Sequence, residues 1–295
     1  MTAEPLLRAQ IEAVWGSGEV ALVDRLYADT VIDHMPVPGQ PAGREALKDV
    51  VRAFRTALPD LRMDLHGVLA CGDRGVDFWT LTGTQSGPLF GLPPTGRRVR
   101  FSGIDMVRVA DGRIAELWHV EEMLQFHDQL GQPPAAAPAA PVAALGETAT
   151  WLPNAALLSR TEARNLALAR VHLEEVWAQG RVELMPLVYA ADVIDMNPAP
   201  GQRPAIAGIA DALAALRDAA PDLAMRIDAY VPAGVLVADC WTMTGTHSGA
   251  PLLGLAASGR RFRIHGMDVA RFRADGRIDR IWHVEEFAQL RAQIS

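Results

Sequence analysis

The chain says nearly everything twice. The series Trp15, Tyr27, Asp33, Pro59-Asp60, Trp79, Thr82-Gly83-Thr84, Gly103, Asp105, Asp111-Gly112-Arg113-Ile114 and Trp118-His119-Val120-Glu121-Glu122 returns in the same order. Its second copy reads Trp177, Tyr189, Asp195, Pro221-Asp222, Trp241, Thr244-Gly245-Thr246, Gly266, Asp268, Asp275-Gly276-Arg277-Ile278 and Trp282-His283-Val284-Glu285-Glu286. The offset is 162 at Asp33 and Asp195, 163 at Asp105 and Asp268, and 164 at His119 and His283. The two single-residue insertions responsible, near Ala250 and Arg271, fall beside predicted turns. Solenoid units recur every ~20–50 residues, so a repeat this long duplicates a whole domain.

Composition supports two compact cores. The 295 residues are 49% hydrophobic and 21% charged, enough to fill two domains of roughly 100–150 residues each. A formal net charge of -7 supplies no basic field for phosphate backbones or anionic lipid, so nucleic acid and membrane are not expected partners. Cys71 and Cys240 occupy non-equivalent places in the repeat. They suggest neither a disulfide framework nor a thiolate metal site. With no apolar run long enough to span a bilayer and no leader pattern at the N-terminus, a cytoplasmic protein is expected.

Residues 132–158 are rich in Ala and Pro and read as a linker between domains at 1–131 and 159–295. Trp151 and Leu152 are apolar enough to dock on a domain surface. Ser159 with Glu162 has the spacing of a helix-start capping box.

Within each copy the periodicity predicts helices first and strands after. Apolar residues at helical spacing run from Leu6 to Trp15 and from Leu166 to Trp177. A short helix to Tyr27 and Tyr189 follows, then an extended stretch at Val31–Asp33, then a helix from about Arg44 to Leu58. Strands are predicted at 62–69, 75–83, 98–109 and 113–122, with Asp111-Gly112 as a hairpin turn. The order implies an α+β fold, and a bent sheet covered on one side by helices would enclose a pocket.

Alternation along the last strand puts Trp118, Val120 and Glu122 on one face and Leu117, His119 and Glu121 on the other. Only one face can line a pocket, and two sets of residues remain open, Glu122 with Trp118 or His119 with Glu121. Asp105, like Asp268, is an acid in an otherwise apolar strand. It would be a second pocket carboxylate or the acceptor in a structural ion pair with Arg97 or Arg113. His119 and Glu121 with Asp105 do not amount to a specific metal signature, and no metal or cofactor is expected. There is no Gly-x-Ser-x-Gly elbow, Walker loop or dinucleotide fingerprint.

Several local motifs carry a family resemblance. Pro59-Asp60-Leu61, Gly83-Thr84-Gln85-Ser86-Gly87, Gly91-Leu92-Pro93-Pro94-Thr95-Gly96-Arg97, Gly103-Ile104-Asp105, Asp111-Gly112-Arg113-Ile114, Glu116-Leu117-Trp118 and the closing Gln129-Leu130-Gly131 together resemble the SnoaL-like polyketide cyclase family. The likeness extends through nearly all of residues 1–131. The second copy keeps most of it, but has Leu255-Ala256-Ala257-Ser258-Gly259-Arg260 in place of the Pro-Pro-Thr-Gly-Arg loop. The resemblance implies two tandem domains of the nuclear-transport-factor-2-like fold, each a cone with a curved, mainly antiparallel sheet and N-terminal helices around a cavity.

The same resemblance implies an aldol-type cyclase, or a related lyase, isomerase or hydrolase, working on a hydrophobic carbonyl compound without a cofactor. A carboxylate in an apolar cavity is harder to ionise and can take a proton beside a carbonyl and return it. The family's acid/base aspartate, at a Trp-x-x-x-Asp spacing, aligns with Glu122 and Glu286, both one methylene longer. The expected catalytic cluster is therefore Asp105, His119 and Glu122, with Asp268, His283 and Glu286 in the second copy. Trp15, Tyr27, His34, Gln85 and Trp118 are expected around the first, and Trp177, Asn197, His247 and Trp282 around the second. The two copies are expected to act as an intramolecular pseudo-dimer, with the first, which keeps more of the pattern, as the working half. The alternative is a noncatalytic small-molecule-binding or assembly module, since one fold hosts many functions.

Overall fold

The computed structural model describes residues 3–37, 39–132 and 149–295. The chain divides into two compact parts, Met1–Pro133 and Pro134–Ser295. The linker expectation falls mostly on 133–148, outside the described residues. Beyond it, Trp151 lies beside Ala229 in an isolated parallel bridge, donating to Asp228 O at 2.9 Å and accepting from Tyr230 N at 3.1 Å.

The first domain begins with helix α1 (Ala3–Ala9), which continues as a π-helical segment over Gln10–Ser17. After α2 (Val23–Leu26) and strand β1 (Tyr27–Asp33) comes α3 (Arg44–Ala57), which stops one residue short of the Leu58-Pro59 step, where the residue before proline disfavours helix. Strands β2 (Arg62–Cys71), β3 (Arg74–Thr84), β4 (Arg98–Ala110) and β5 (Arg113–Glu121) form a meander, and helix α4 (Met123–Leu130) closes the domain. The sheet order is β1-β5-β4-β3-β2, antiparallel except for β1, which lies parallel to β5. Neither the closing helix nor the parallel pairing was expected from periodicity. Asp111 and Gly112 both have positive φ, 49° and 73°, the geometry of the tight hairpin turn that suits the twist of the flanking strands.

The second domain repeats this order. Helix α5 (Arg160–Arg170) runs into a π-helical segment at Val171–Trp177, and α6 (Met185–Val188), β6 (Tyr189–Asp195) and α7 (Ala205–Ala219) follow. Strands β7 (Ala224–Ala233), β8 (Leu236–Thr246), β9 (Arg261–Phe272) and β10 (Ile278–Glu285) precede α8 (Phe287–Ile294), in sheet order β6-β10-β9-β8-β7. Ser159 and Glu162 make the reciprocal capping box at the start of α5.

In each sheet a β-bulge interrupts the edge strand of the meander, between Leu65 and Gly67 in β2 and between Ile227 and Ala229 in β7. Two glycines shape the inner face. Trp79 pairs across the ladder with Gly103 and Trp241 with Gly266, and a Cβ on either glycine would collide with the indole. The tryptophans therefore lie flat over the neighbouring strand.

Candidate active site

In each domain one row of polar side chains crosses the sheet. Asp77 on β3, Asp105 on β4 and His119 on β5 are successive cross-strand partners. Direct partners share a face of the sheet, so the three project together. The second domain aligns Asp239, Asp268 and His283 in the same way.

Both histidines sit between two carboxylates. His119 Nδ1 is 2.7 Å from Glu121 Oε1 and Nε2 is 3.1 Å from Asp33 Oδ1. His283 Nδ1 is 2.8 Å from Glu285 and Nε2 2.9 Å from Asp195. A ring that donates from both nitrogens is an imidazolium. Burial opposes that charge, but Glu121 and Asp33, or Glu285 and Asp195, hold both rings well above the ordinary histidine pKa. For Asp33 and Asp195 burial is again the largest influence and pushes upward. It is outweighed by the histidine and by hydrogen bonds from Gln40 and Met35 N or from Gln202 and Asn197 N, so both fall below the usual carboxylate range. Glu285 is raised, chiefly by burial.

The carboxyl pairs behave in the opposite way. Asp77 and Asp239 are 0% and 1% exposed, and neither oxygen of either group meets a hydrogen-bond donor among the described residues. Burial, then the adjacent aspartate, pushes both far above the usual range. Burial also lifts Asp105 to about 7, against the charge of His119 and the hydrogen bond from Gln10.

The two domains differ at the helix that covers this row. Gln10 of the first π-helical segment donates through Nε2 to Asp105 Oδ2 at 2.7 Å and accepts from the Tyr27 hydroxyl at 2.6 Å. His172 stands at the matching place in the second, with Nδ1 2.7 Å from the Tyr189 hydroxyl. Trp177 Nε1 donates to that hydroxyl oxygen at 3.2 Å. The opposite edge of the His172 ring carries Nε2. That atom lies 3.9 Å from Asp268 Oδ2 without a hydrogen-bond partner among the described residues, and Asp268 accepts instead from Trp241 Nε1 at 3.3 Å.

A cavity of about 470 Å³, counting the open space at its mouth, lies in the second domain. Trp177, Leu173, Ile209, Ala212, Met225, Trp241 and Ile281 form its apolar wall, and Asp195, Gln202, Asp268, His283 and Glu285 its polar one. Most matching positions of the first domain are identical or similar in size, and two nearby are bulkier. Val50 replaces Ala212, and Phe54, where the second domain has Leu216, lies edge-on to Trp15 and Phe90 with ring centroids 5.4 and 5.3 Å away.

The structure thus brings Asp105 together with His119, and Asp268 with His283, but each histidine is joined by Glu121 or Glu285 rather than by the next residue. Glu122 and Glu286 begin α4 and α8 and accept from Ser102 N at 2.7 Å and His265 N at 2.9 Å, tying the helix to the adjoining strand. Tyr27 and Trp177 join the hydrogen-bonded row, and Trp15 packs in the core. Gln85 is buried and pins its own loop through Gly87 O, Pro93 O and Thr95, and His247 contacts Ala250 O and Ser258 in the matching loop. His34 stacks on Trp118 at 4.2 Å and meets Glu116, on the face of β5 opposite His119. Trp282 lies on the corresponding face of β10. Asn197 accepts from His283 N at 3.3 Å.

Sequence reasoning passed over Asp77 and Asp239, Asp33 and Asp195, and the Gln10/His172 exchange. Asp77 in Val76-Asp77-Phe78-Trp79 recurs in Val237-Ala238-Asp239-Cys240-Trp241, and an acid kept at one place in two apolar strands was the available signal.

Comparison with known proteins bears on this arrangement. The model of the family described as SnoaL-like polyketide cyclase matches residues 6–130 and again 167–294. Among solved structures, TsrD from Streptomyces laurentii is 27% identical, with 43% of this chain and 93% of that one covered and a TM-score of 0.41. IdmH from Streptomyces antibioticus, described as a candidate polyketide cyclase, is 28% identical, covering 43% and 97%, with a TM-score of 0.39. A candidate polyketide cyclase from Bacillus cereus is 30% identical, covering 40% and 74%, with a TM-score of 0.36. No curated protein matches. With both halves of the chain matched by one family model, the protein belongs to the SnoaL-like polyketide cyclase family and carries its domain twice.

Proposed function

We propose that the chain is a cofactor-independent enzyme that moves a proton on a hydrophobic carbonyl compound, as a cyclase or related isomerase or hydrolase, in the cavity of its second domain. The observation that carries this reading is the placement of Asp268 beside the Asp195–His283–Glu285 row on one wall of a cavity whose other walls are apolar. Asp268 is the base. It takes a proton from carbon next to a carbonyl, the C–H pair moves toward the carbonyl oxygen, and an enolate forms. Both N–H groups of His283 are committed to carboxylates, so the ring acts through its charge, which the apolar surroundings strengthen. In a cyclisation the enolate carbon attacks a second carbonyl, and the resulting alkoxide recovers the proton from Asp268. Trp177 and Trp241 offer flat surfaces to a ring system.

Glu286, which the family alignment marks, is engaged with His265 N and supports this chemistry less well. The covalent joining of two domains also favours the pseudo-dimer reading through effective concentration. The reading is tested by incubating the protein in D2O with polyketide-like aromatic ketones and steroid ketones and measuring deuterium at the α-carbon. Wild type should incorporate deuterium and Asp268→Asn should not. Compounds that raise the melting temperature yet neither exchange nor turn over would favour a noncatalytic binding domain instead.

A further inference from the structure

We propose that Asp239 and Asp268 form a carboxyl pair that stores one proton at neutral pH, and that Asp239 is the positioning residue that presets Asp268 for proton transfer. The inference rests on the proposed reaction only for its use of the proton, not for the proton's presence. Three observations carry it. The two residues are direct partners on adjacent strands. Asp239 is 1% exposed and, among the described residues, meets no donor at either oxygen. Asp268 faces the cavity.

An ionised carboxylate without donors in this setting would carry the full cost of desolvation beside a second negative charge. The arrangement becomes acceptable when Asp239 is neutral and donates its O–H to Asp268, which remains the anion. Other ionisable groups facing the pair are His172 from the π-helical segment after α5, Tyr189 and Asp195 from β6, Tyr230 from β7, and His283 and Glu285 from β10. The only cation among them with two hydrogen bonds to anions is His283, and it is already matched by Asp195 and Glu285.

The charge balance is simple. At rest the pair carries one proton and one negative charge. When Asp268 accepts a proton from substrate carbon, both groups are neutral, and when it returns the proton the pair regains its charge. Without the stored proton the same cycle would begin from two adjacent buried anions. Asp77 and Asp105 repeat the pair in the first domain, where the Gln10 amide also holds Asp105. The stored proton therefore belongs to the ancestral domain, whereas in the second domain it lies behind a cavity-facing acid.

Carboxyl-13C labelling of the aspartates in the full-length protein, followed by NMR from pH 5 to 9, tests this without a substrate. Wild type should show two aspartate carboxyl signals that stay protonated above pH 7, from Asp77 and Asp239, with Asp105 losing its proton near pH 7, and Asp77→Asn and Asp239→Asn should each remove one of the two. Infrared detection of the protonated carboxyl stretch in unsubstituted protein gives the same answer should a variant fail to fold. If every aspartate is ionised at pH 7, the inference falls while the proposed reaction stands. If the signals are present but α-carbon exchange is absent with every ketone, the proposed reaction falls and the stored proton stands.

Discussion

The two domains share their charged rows and differ in what stands over them. Both hold a histidine between an aspartate and a glutamate, and both hold a buried aspartate against a second one. Over the first row Gln10 makes a fixed amide link between Tyr27 and Asp105. Over the second, His172 bonds Tyr189 but stops 3.9 Å short of Asp268, and the cavity opens beside it. Polar rows survived duplication because a buried charge without its partners is costly in any copy. The covering residues diverged because an amide, an imidazole, a Phe or a Leu can each cap the space. The first domain keeps more of the family's sequence pattern, yet the described cavity lies in the second.

Substitutions at matched positions should separate the halves. The largest contrast is expected between Asp268→Asn and Asp105→Asn. Loss of a positioned acid/base group costs about 10²–10⁴-fold, so the first should lower kcat by that factor and the second by less than tenfold, measured on any ketone found to exchange. Equal losses would mean that both halves work.

Next, His283→Ala and His119→Ala each leave two carboxylates facing one another without the cation between them. Breaking a buried pair costs about 3–5 kcal/mol. Calorimetry of the full chain should show a fall in stability toward that size in both variants, somewhat greater for His119, whose side chain is 16% exposed against 23%.

The carboxyl pairs predict a pH dependence of definite sign. Asp77 and Asp239 keep their protons well above the ordinary aspartate pKa of about 3.9, at which the unfolded chain releases them. The native state then binds more protons, and stability falls as pH rises by up to about 1.4 kcal/mol per unit for each group. That fall begins near pH 4 and ends at the raised native values. The histidines add to it only above about pH 6.5, and the lowered Asp33 and Asp195 act in the other direction, losing their contribution as pH falls below about 4. Urea unfolding between pH 4.5 and 6.5 should therefore show a shallower slope in Asp239→Asn than in wild type, and an unchanged slope would count against the buried proton.

A finer comparison exchanges the covers. His172→Gln should let an amide reach Asp268 as Gln10 reaches Asp105, moving the Asp268 carboxyl 13C signal toward that of Asp105, and Gln10→His should do the reverse. The smallest effect is at Ser159, whose capping box is replaced in Ser159→Ala at a cost of about 1 kcal/mol, read as a lower melting temperature of the second domain.

Much of the fold was readable from local pattern. Helix and strand periods, the Asp111-Gly112 turn and the Ser159 cap each depend on residues close in sequence. The pairing of β1 with β5 was not, because Asp33 and Leu117 become neighbours only through a long crossover. At the site, His119 and Asp105 were recognisable as polar residues in apolar strands. Glu122 and Glu121 were not distinguishable by residue type, and the choice between them came from the end of the strand. β5 stops at Glu121, and the next residue turns to start a helix, taking its carboxylate to Ser102.

The sequence by itself determined that there are two domains, the order of their elements up to the closing helix, and their family, because duplication, periodicity and turn chemistry are written in the spacing of residues. Only the tertiary structure decided which acids meet, that each of these histidines is held between two anions, and which side chains line the second domain's cavity. Those outcomes depend on strand register, on a few side-chain volumes and on the distance between groups brought together from opposite ends of a domain.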